Sequence, residues 1–309
     1  MNQVIDTILS TLPPLRKNLR GEFKRLFGPQ INYPYFCKRA GLPYNFQCDA
    51  DSFEMVNAAW MADAALLAYV PNPADKKGKF DFESLGKVGW TLRFVKEKPE
   101  VAKFKKVQFF NRNGKQLFVT HNPQAVVVSF RGTEIQEPAD LLYDGNFIPS
   151  KEGNGKIHRG FQNGIEAVWK TKGDEEGIED CLKRVTNNGE IPVWFTGHSL
   201  GAALAIIAAA RWHQIHKVQG LYTFGSPGVW NQAFSKLFNN MNAFRVVHNL
   251  DIVTTVSQKP NLLHVGALYV IDDKKILKKK MTRGIDEKKI FPKIPAFLLR
   301  ESLRSQIVA

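Results

Sequence analysis

Apolar residues along the chain first follow a helical period, then a strand period, and then alternate between the two. DSFEMVNAAWMADAALLAYVPNP, residues 51–73, spaces its apolar side chains three to four apart with few β-branched residues. With Asp51 or Ser52 as cap and Pro71 as stop, it predicts a helix. KFKKVQFF, KQLFVT and AVVVSF then predict antiparallel strands joined by short turns, Asn113-Gly114 being the clearest hairpin signal. Further on, GFQNGIEAVWK and EEGIEDCLKRV are amphipathic helical stretches. After the strand PVWFT comes the Ala-rich helix LGAALAIIAAARWHQI, then the strand YTFGS, a helix over GVWNQAFSKLFNN and the strand AFRVVH. Strands alternating with helices predict an α/β fold, a mostly parallel sheet with helices on both faces and an antiparallel start.

Length and composition fit one such domain. The 309 residues, 44% of them hydrophobic, are enough for a large core. The reading divides them into an N-terminal extension of unknown role, residues 1–50, and one α/β domain, residues 51–309. No run approaches 18 apolar residues, and the N-terminal MNQVIDTILSTLPPLRK has its charges in the wrong order for a signal peptide. Cys37, Cys48 and Cys181 have no metal-like spacing and too few partners for a disulfide framework. The expectation is a cytoplasmic protein with reduced thiols and no metal or organic cofactor.

The net charge of +14 is concentrated in two stretches, residues 71–120 and 272–309, with basic excesses of seven and six. A surface of this kind attracts polyanions, an anionic membrane included. No nucleic-acid-binding motif accompanies the charge, so nucleic acid is not expected as a partner.

The chemistry centres on WFTGHSLGAALA, residues 194–205. An apolar, β-rich run stops at Gly197, and a long helix opens at Leu200. Strand, sharp turn and helix around Gly-x-Ser-x-Gly is what a nucleophile elbow requires, because the turn packs backbone on backbone and leaves no room for Cβ atoms. Ser199 would then stand at the positive end of a helix, where an oxyanion is favoured.

Four further segments fall into order around it: SFRGTE after a buried strand, KIHRGF about 25 residues later, then YTFGSPGVW and FRVVHNLDIVTTV. Together with GHSLGAALA they resemble the class 3, fungal-type lipase family of α/β-hydrolases across about residues 50–272. The resemblance implies a carboxylic ester hydrolase acting on lipid. It implies Ser199 as nucleophile, and Thr133 and Leu200 as the oxyanion hole, with Arg131 and Gly132 shaping the loop. It implies Asp251 as the acid that orients a histidine, and the stretch Glu134–Phe147 as a lid. Where the family usually has a proline shortly after its Asp-x-Val, this chain has Thr254, which leaves the shape of that loop open.

The base is the open point. His198, next to the nucleophile, and His158 and His248, inside the motifs, read as structural; His213 and His216 lie on the far end of the Ala-rich helix. Only His264 follows Asp251, 13 residues on, a length that could span up to ~43 Å. The resemblance instead sets the catalytic histidine about 50–60 residues after the acid, and Ala309 is 58 residues past Asp251. Three readings stand: a base just beyond Ala309, His264 as base, or a pseudo-enzyme. The expected function is therefore a triacylglycerol lipase or phospholipase. Its competitor is a lipase-like binding or scaffold protein, which an absent base favours and an intact Ser199, Thr133 and Asp251 oppose.

Overall fold

Side-chain alternation explains how the sheet acquires a helix layer on each face. In a computed structural model, the described residues are 46–68, 106–132, 149–153, 155–228, 231–248, 263–271 and 277–280. Among them the strands β1 (Lys106–Arg112), β2 (Lys115–His121), β3 (Val126–Phe130), β6 (Val193–His198), β7 (Val218–Phe224), β8 (Ala243–His248), β9 (Ala267–Ile271) and β10 (Leu277–Lys280) form an eight-stranded sheet, in the order β1-β2-β3-β6-β7-β8-β9-β10. β1, β2 and β3 pair antiparallel, β3 to β9 run parallel, and β10 returns antiparallel. The parallel middle and antiparallel start agree with the sequence pattern. The antiparallel strand at the far edge, and the separate hairpin of β4 (Pro149–Glu152) and β5 (Gly155–His158), are additions to it.

Successive residues of a strand point to opposite faces. Val126, Val128, Phe130, Val193 and Phe195 face a layer of three helices: α2 (Arg159–Trp169), α3 (Ile178–Val185) and α4 (Leu200–His213). Val127, Trp194, Tyr222, Phe244 and Val246 face helix α1 (Met55–Leu67). Parallel strands covered on both faces read as unbroken apolar runs, and all five residues of β3 are buried. α4 is apolar nearly all round because it lies inside this layer, with Arg211 and His213 as its partly exposed residues.

Local chemistry sets the element ends. Asn113 and Gly114 both have positive φ (50° and 71°), the conformation a two-residue hairpin needs between β1 and β2. His158 caps α2, its Nδ1 accepting from the Gly160 N–H at 3.0 Å. Two sequence expectations shift. α1 begins at Met55, after the expected caps. The helix expected over residues 228–240 is reduced to α5 (Gln232–Ser235) and a 3₁₀ turn (Lys236–Phe238), because the Asn231 side chain accepts from Phe234 N–H and starts the helix there. Phe46–Ala50, grouped by sequence with the extension, pack onto the sheet. Phe46 meets Trp194 edge-on, and the Gln219 amide donates to the Asp49 and Ala50 carbonyls.

One buried ion pair ties the β4–β5 hairpin to the helix layer. Arg211 grips Glu152 through two bonds of 2.6 and 2.7 Å, reaches Glu166 at 2.5 Å, and lies 5.7 Å over the Trp169 ring. Burial pulls the Arg211 pKa down, but Glu152 and Glu166 outweigh it and hold the guanidinium charged. Glu152 is itself 8% exposed, so removing Arg211 strands a buried carboxylate. Arg211→Met is expected to cost about 3 kcal/mol in chemical denaturation, and adding Glu152→Gln should return part of that loss. A loss near zero would mean that water already solvates the pair.

Candidate active site

β6 ends at His198 and α4 begins at Leu200, so one residue, Ser199, makes the whole connection. Its backbone has φ 55° and ψ −123°, a region that residues with a Cβ rarely occupy, at a cost of about 1–3 kcal/mol. What holds it there is close packing on both sides. A Cβ on Gly197 would lie 2.4 Å from the Gly201 carbonyl group, and one on Gly201 would lie 2.3 Å from the Phe130 oxygen. The Ser199 N–H donates to the Phe224 carbonyl at 3.0 Å, fixing the turn to the end of β7. Its own carbonyl opens α4 by accepting from Ala202 N–H at 3.0 Å. The Ser199 side chain forms no cap with the helix, which leaves Oγ available for chemistry.

The Gly201 contact also brings in the second half of the site. Its neighbours are Phe130, Arg131 and Gly132, the end of β3 and the start of the loop that leads to Thr133. Arg131 is anchored away from the elbow: its N–H donates to the Gln116 carbonyl at 2.9 Å and its guanidinium to the Gln116 side chain. Leu200, buried at the first position of α4, carries the backbone N–H next to Ser199. The helix end adds its partial positive charge at the same point.

Thr133, the stretch Glu134–Phe147 and Asp251 lie outside the described residues. β3 and β8, the strands that lead to Thr133 and Asp251, stand on either side of the β6–β7 pair and run parallel to it.

His264 lies among the described residues. Ser199 follows the last residue of β6, and His264 comes three residues before the first residue of β9. Its ring packs on Gly228, where an added Cβ would lie 2.8 Å from Nε2. Of the other described histidines, His158 caps α2, His216 packs on Trp212 with ring centres 4.6 Å apart, and His198 is exposed. Cys181 is no competing nucleophile, because burial first, with Glu176 adding to it, pushes its thiol up to about 12. Among the described residues, no cluster of His, Cys, Asp and Glu could hold a metal ion.

Residues 127–260 match the family model described as Lipase (class 3). The chain is 34% identical over 141 residues to a lipase of Caenorhabditis elegans, covering 42% of this chain and 37% of that protein. To the secreted mono- and diacylglycerol lipase A of Penicillium camembertii it is 31% identical over 156 residues, 49% of this chain and 48% of that protein. The chain thus spans about half or less of the length of these curated relatives. Lipase II from Rhizopus niveus superposes with a TM-score of 0.55 at 19% identity, over 78% of this chain and 92% of that one, a likeness of fold. The matched segment contains the elbow, the strand that precedes it and the strand whose carbonyl fixes it, and over this segment the chain is similar to the class 3 lipase family.

Proposed function

We propose that the protein is a serine esterase that hydrolyses carboxylic esters of lipids through an acyl-enzyme. The observation that carries this is the Ser199 backbone, held at positive φ between a strand end and a helix start with its side chain left out of the capping bonds. A strained conformation held by surrounding packing, at the mouth of a sheet, is how a fold presents a nucleophile.

In the proposed reaction the Ser199 oxygen attacks the ester carbonyl carbon and gives its proton to an imidazole. The oxyanion is held by the N–H groups of Leu200 and Thr133, with the Thr133 hydroxyl adding a third donor. Collapse expels the alcohol, which takes the proton from the imidazolium, and water then releases the acid by the same steps in reverse. Asp251 orients and stabilises that imidazole. The family resemblance sets that base about 50–60 residues after Asp251, and His264, 13 residues on, is a poor fit to it. The name of the Penicillium relative supports a glycerolipid ester as substrate.

Ser199→Ala in the full-length protein is expected to abolish hydrolysis of a short-chain p-nitrophenyl ester without lowering Tm, while His264→Ala should leave kcat within about twofold. Undiminished turnover by Ser199→Ala would overturn the nucleophile. A dead but folded His264→Ala would make His264 the base.

The basic stretches support a second part of the proposal, docking on an anionic lipid surface. β10, at one end of the strand order, carries Lys278, Lys279 and Lys280. Each lysine near such a surface contributes about 1 kcal/mol, over roughly a Debye length. Sedimentation with vesicles should therefore require anionic lipid and weaken sharply between low and physiological salt. Equal binding to neutral vesicles would make the charge a solubility feature.

A further inference from the structure

Three hydroxyls lie in a row across the buried face of the sheet; two engage helix α1 and the third the residue just before it. Ser129 on β3 is the direct partner of Thr196 on β6, and Thr196 is the partner of Tyr222 on β7. Ser129 Oγ donates to the Ala64 carbonyl at 2.8 Å, and Thr196 Oγ1 donates to the Met61 carbonyl at 3.1 Å. The Tyr222 hydroxyl accepts from the Glu54 N–H at 3.1 Å. All three side chains are completely buried among apolar neighbours such as Trp194, Val127 and Phe244.

The spacing explains how these bonds form together. Met61 and Ala64 are three residues apart, a rise of about 4.5 Å along the helix axis. Adjacent strands lie about 4.8 Å apart. One helix crossing the sheet can therefore offer a carbonyl to each of two neighbouring strands. Apolar side chains at 129 and 196 would bury equally well, but they would let the helix slide over the sheet; the hydroxyls fix where it sits.

The row lies just before Ser199 along the sheet, and Ser129 shortly before Thr133 in sequence. Ser199 comes three residues after Thr196, and Thr133 four residues after Ser129. Tyr222 comes two residues before Phe224, whose carbonyl accepts the Ser199 N–H. We propose that Ser129 and Thr196 are positioning residues for ester hydrolysis: by tying β3 and β6 to one turn of α1, they set the height of the oxyanion loop against that of the nucleophile. This rests on the serine-esterase reading. Oxyanion donors work at 2.7–3.1 Å from the developing charge, so a small slip between the two strand ends weakens them, and a 1 Å misplacement can cost ~10²-fold in rate.

The test uses the full-length protein with Ser129→Ala, Thr196→Val, the double variant and Thr196→Ser, following kcat, KM and Tm on a soluble p-nitrophenyl ester. Thr196→Val keeps the volume, and the Met61 carbonyl stays in the helix ladder, so no buried acceptor is stranded. Each hydroxyl deletion should lower kcat about tenfold or more with KM within twofold, and Thr196→Ser should recover most of the rate. The double variant should fall well short of the product of the two single losses, since both act through one helix. Unchanged kcat per folded enzyme, with only a lower Tm, would reduce the row to a stability feature and overturn the proposal. Should Thr196→Val not fold, Ser129→Ala and Thr196→Ser make the same comparison. Ester hydrolysis by the parent protein that persists in Ser199→Ala would remove the esterase reading and this inference together; activity lost in Ser199→Ala but intact in the hydroxyl variants would remove the inference alone.

Discussion

The site depends on a backbone conformation that Ser199 would not hold by itself. A residue with a Cβ at φ 55° and ψ −123° relaxes unless its surroundings over-determine it, and here the restraint is steric exclusion by two absent side chains. Gly197 and Gly201 let the turn close on itself and let the first turn of α4 touch the end of β3. The same contact that keeps Ser199 raised also keeps the Phe130–Gly132 backbone beside it. Strain and assembly of the site are thus one packing event.

That packing needs a rigid platform, and the sheet supplies it through its two faces. On one side α4, α2 and α3 seal an apolar layer, with Arg211 and Glu152 drawing the β4–β5 hairpin against it. On the other side α1 is held by hydrogen bonds in a layer that is otherwise aromatic and aliphatic. Dispersion and apolar burial are non-directional, so they fill a layer without fixing its register. Hydroxyl-to-carbonyl bonds are directional and do fix it.

Much of this was legible in the sequence because it is written in local patterns. The change of period, the Asn113-Gly114 turn and the Gly-x-Ser-x-Gly elbow each depend on a few adjacent residues. What escaped depends on distant pairs. The β4–β5 hairpin has a Gly153-Asn154 turn signal but little apolar alternation in its strands; an ion pair to Arg211, 59 residues away, holds it to the helix layer. The helix expected over residues 228–240 carried a helical pattern that its cap at Asn231 cut short. His264 could be reached from Asp251 by chain length alone, and the packing of its ring on Gly228 is a long-range contact that the sequence does not announce. For Thr133 and Asp251 the structure adds the strands that lead to them and nothing about their side chains.

Ser129 and Thr196 illustrate a signal that was present but unread. In AVVVSF and VWFT each is the one hydroxyl in an apolar run, and in a strand covered on both faces a hydroxyl has to find a partner or cost the fold its desolvation. The sequence therefore states that each is bonded, without saying to what. Once the register makes them neighbours, a single partner element suffices, and a helix turn matches the strand spacing closely enough to serve both. A buried polar residue near a strand's C-terminal end in an open α/β sheet is thus informative in a way that an apolar one is not. It marks a place where the position of that strand end was specified, and in this fold the strand ends are where the reacting groups stand.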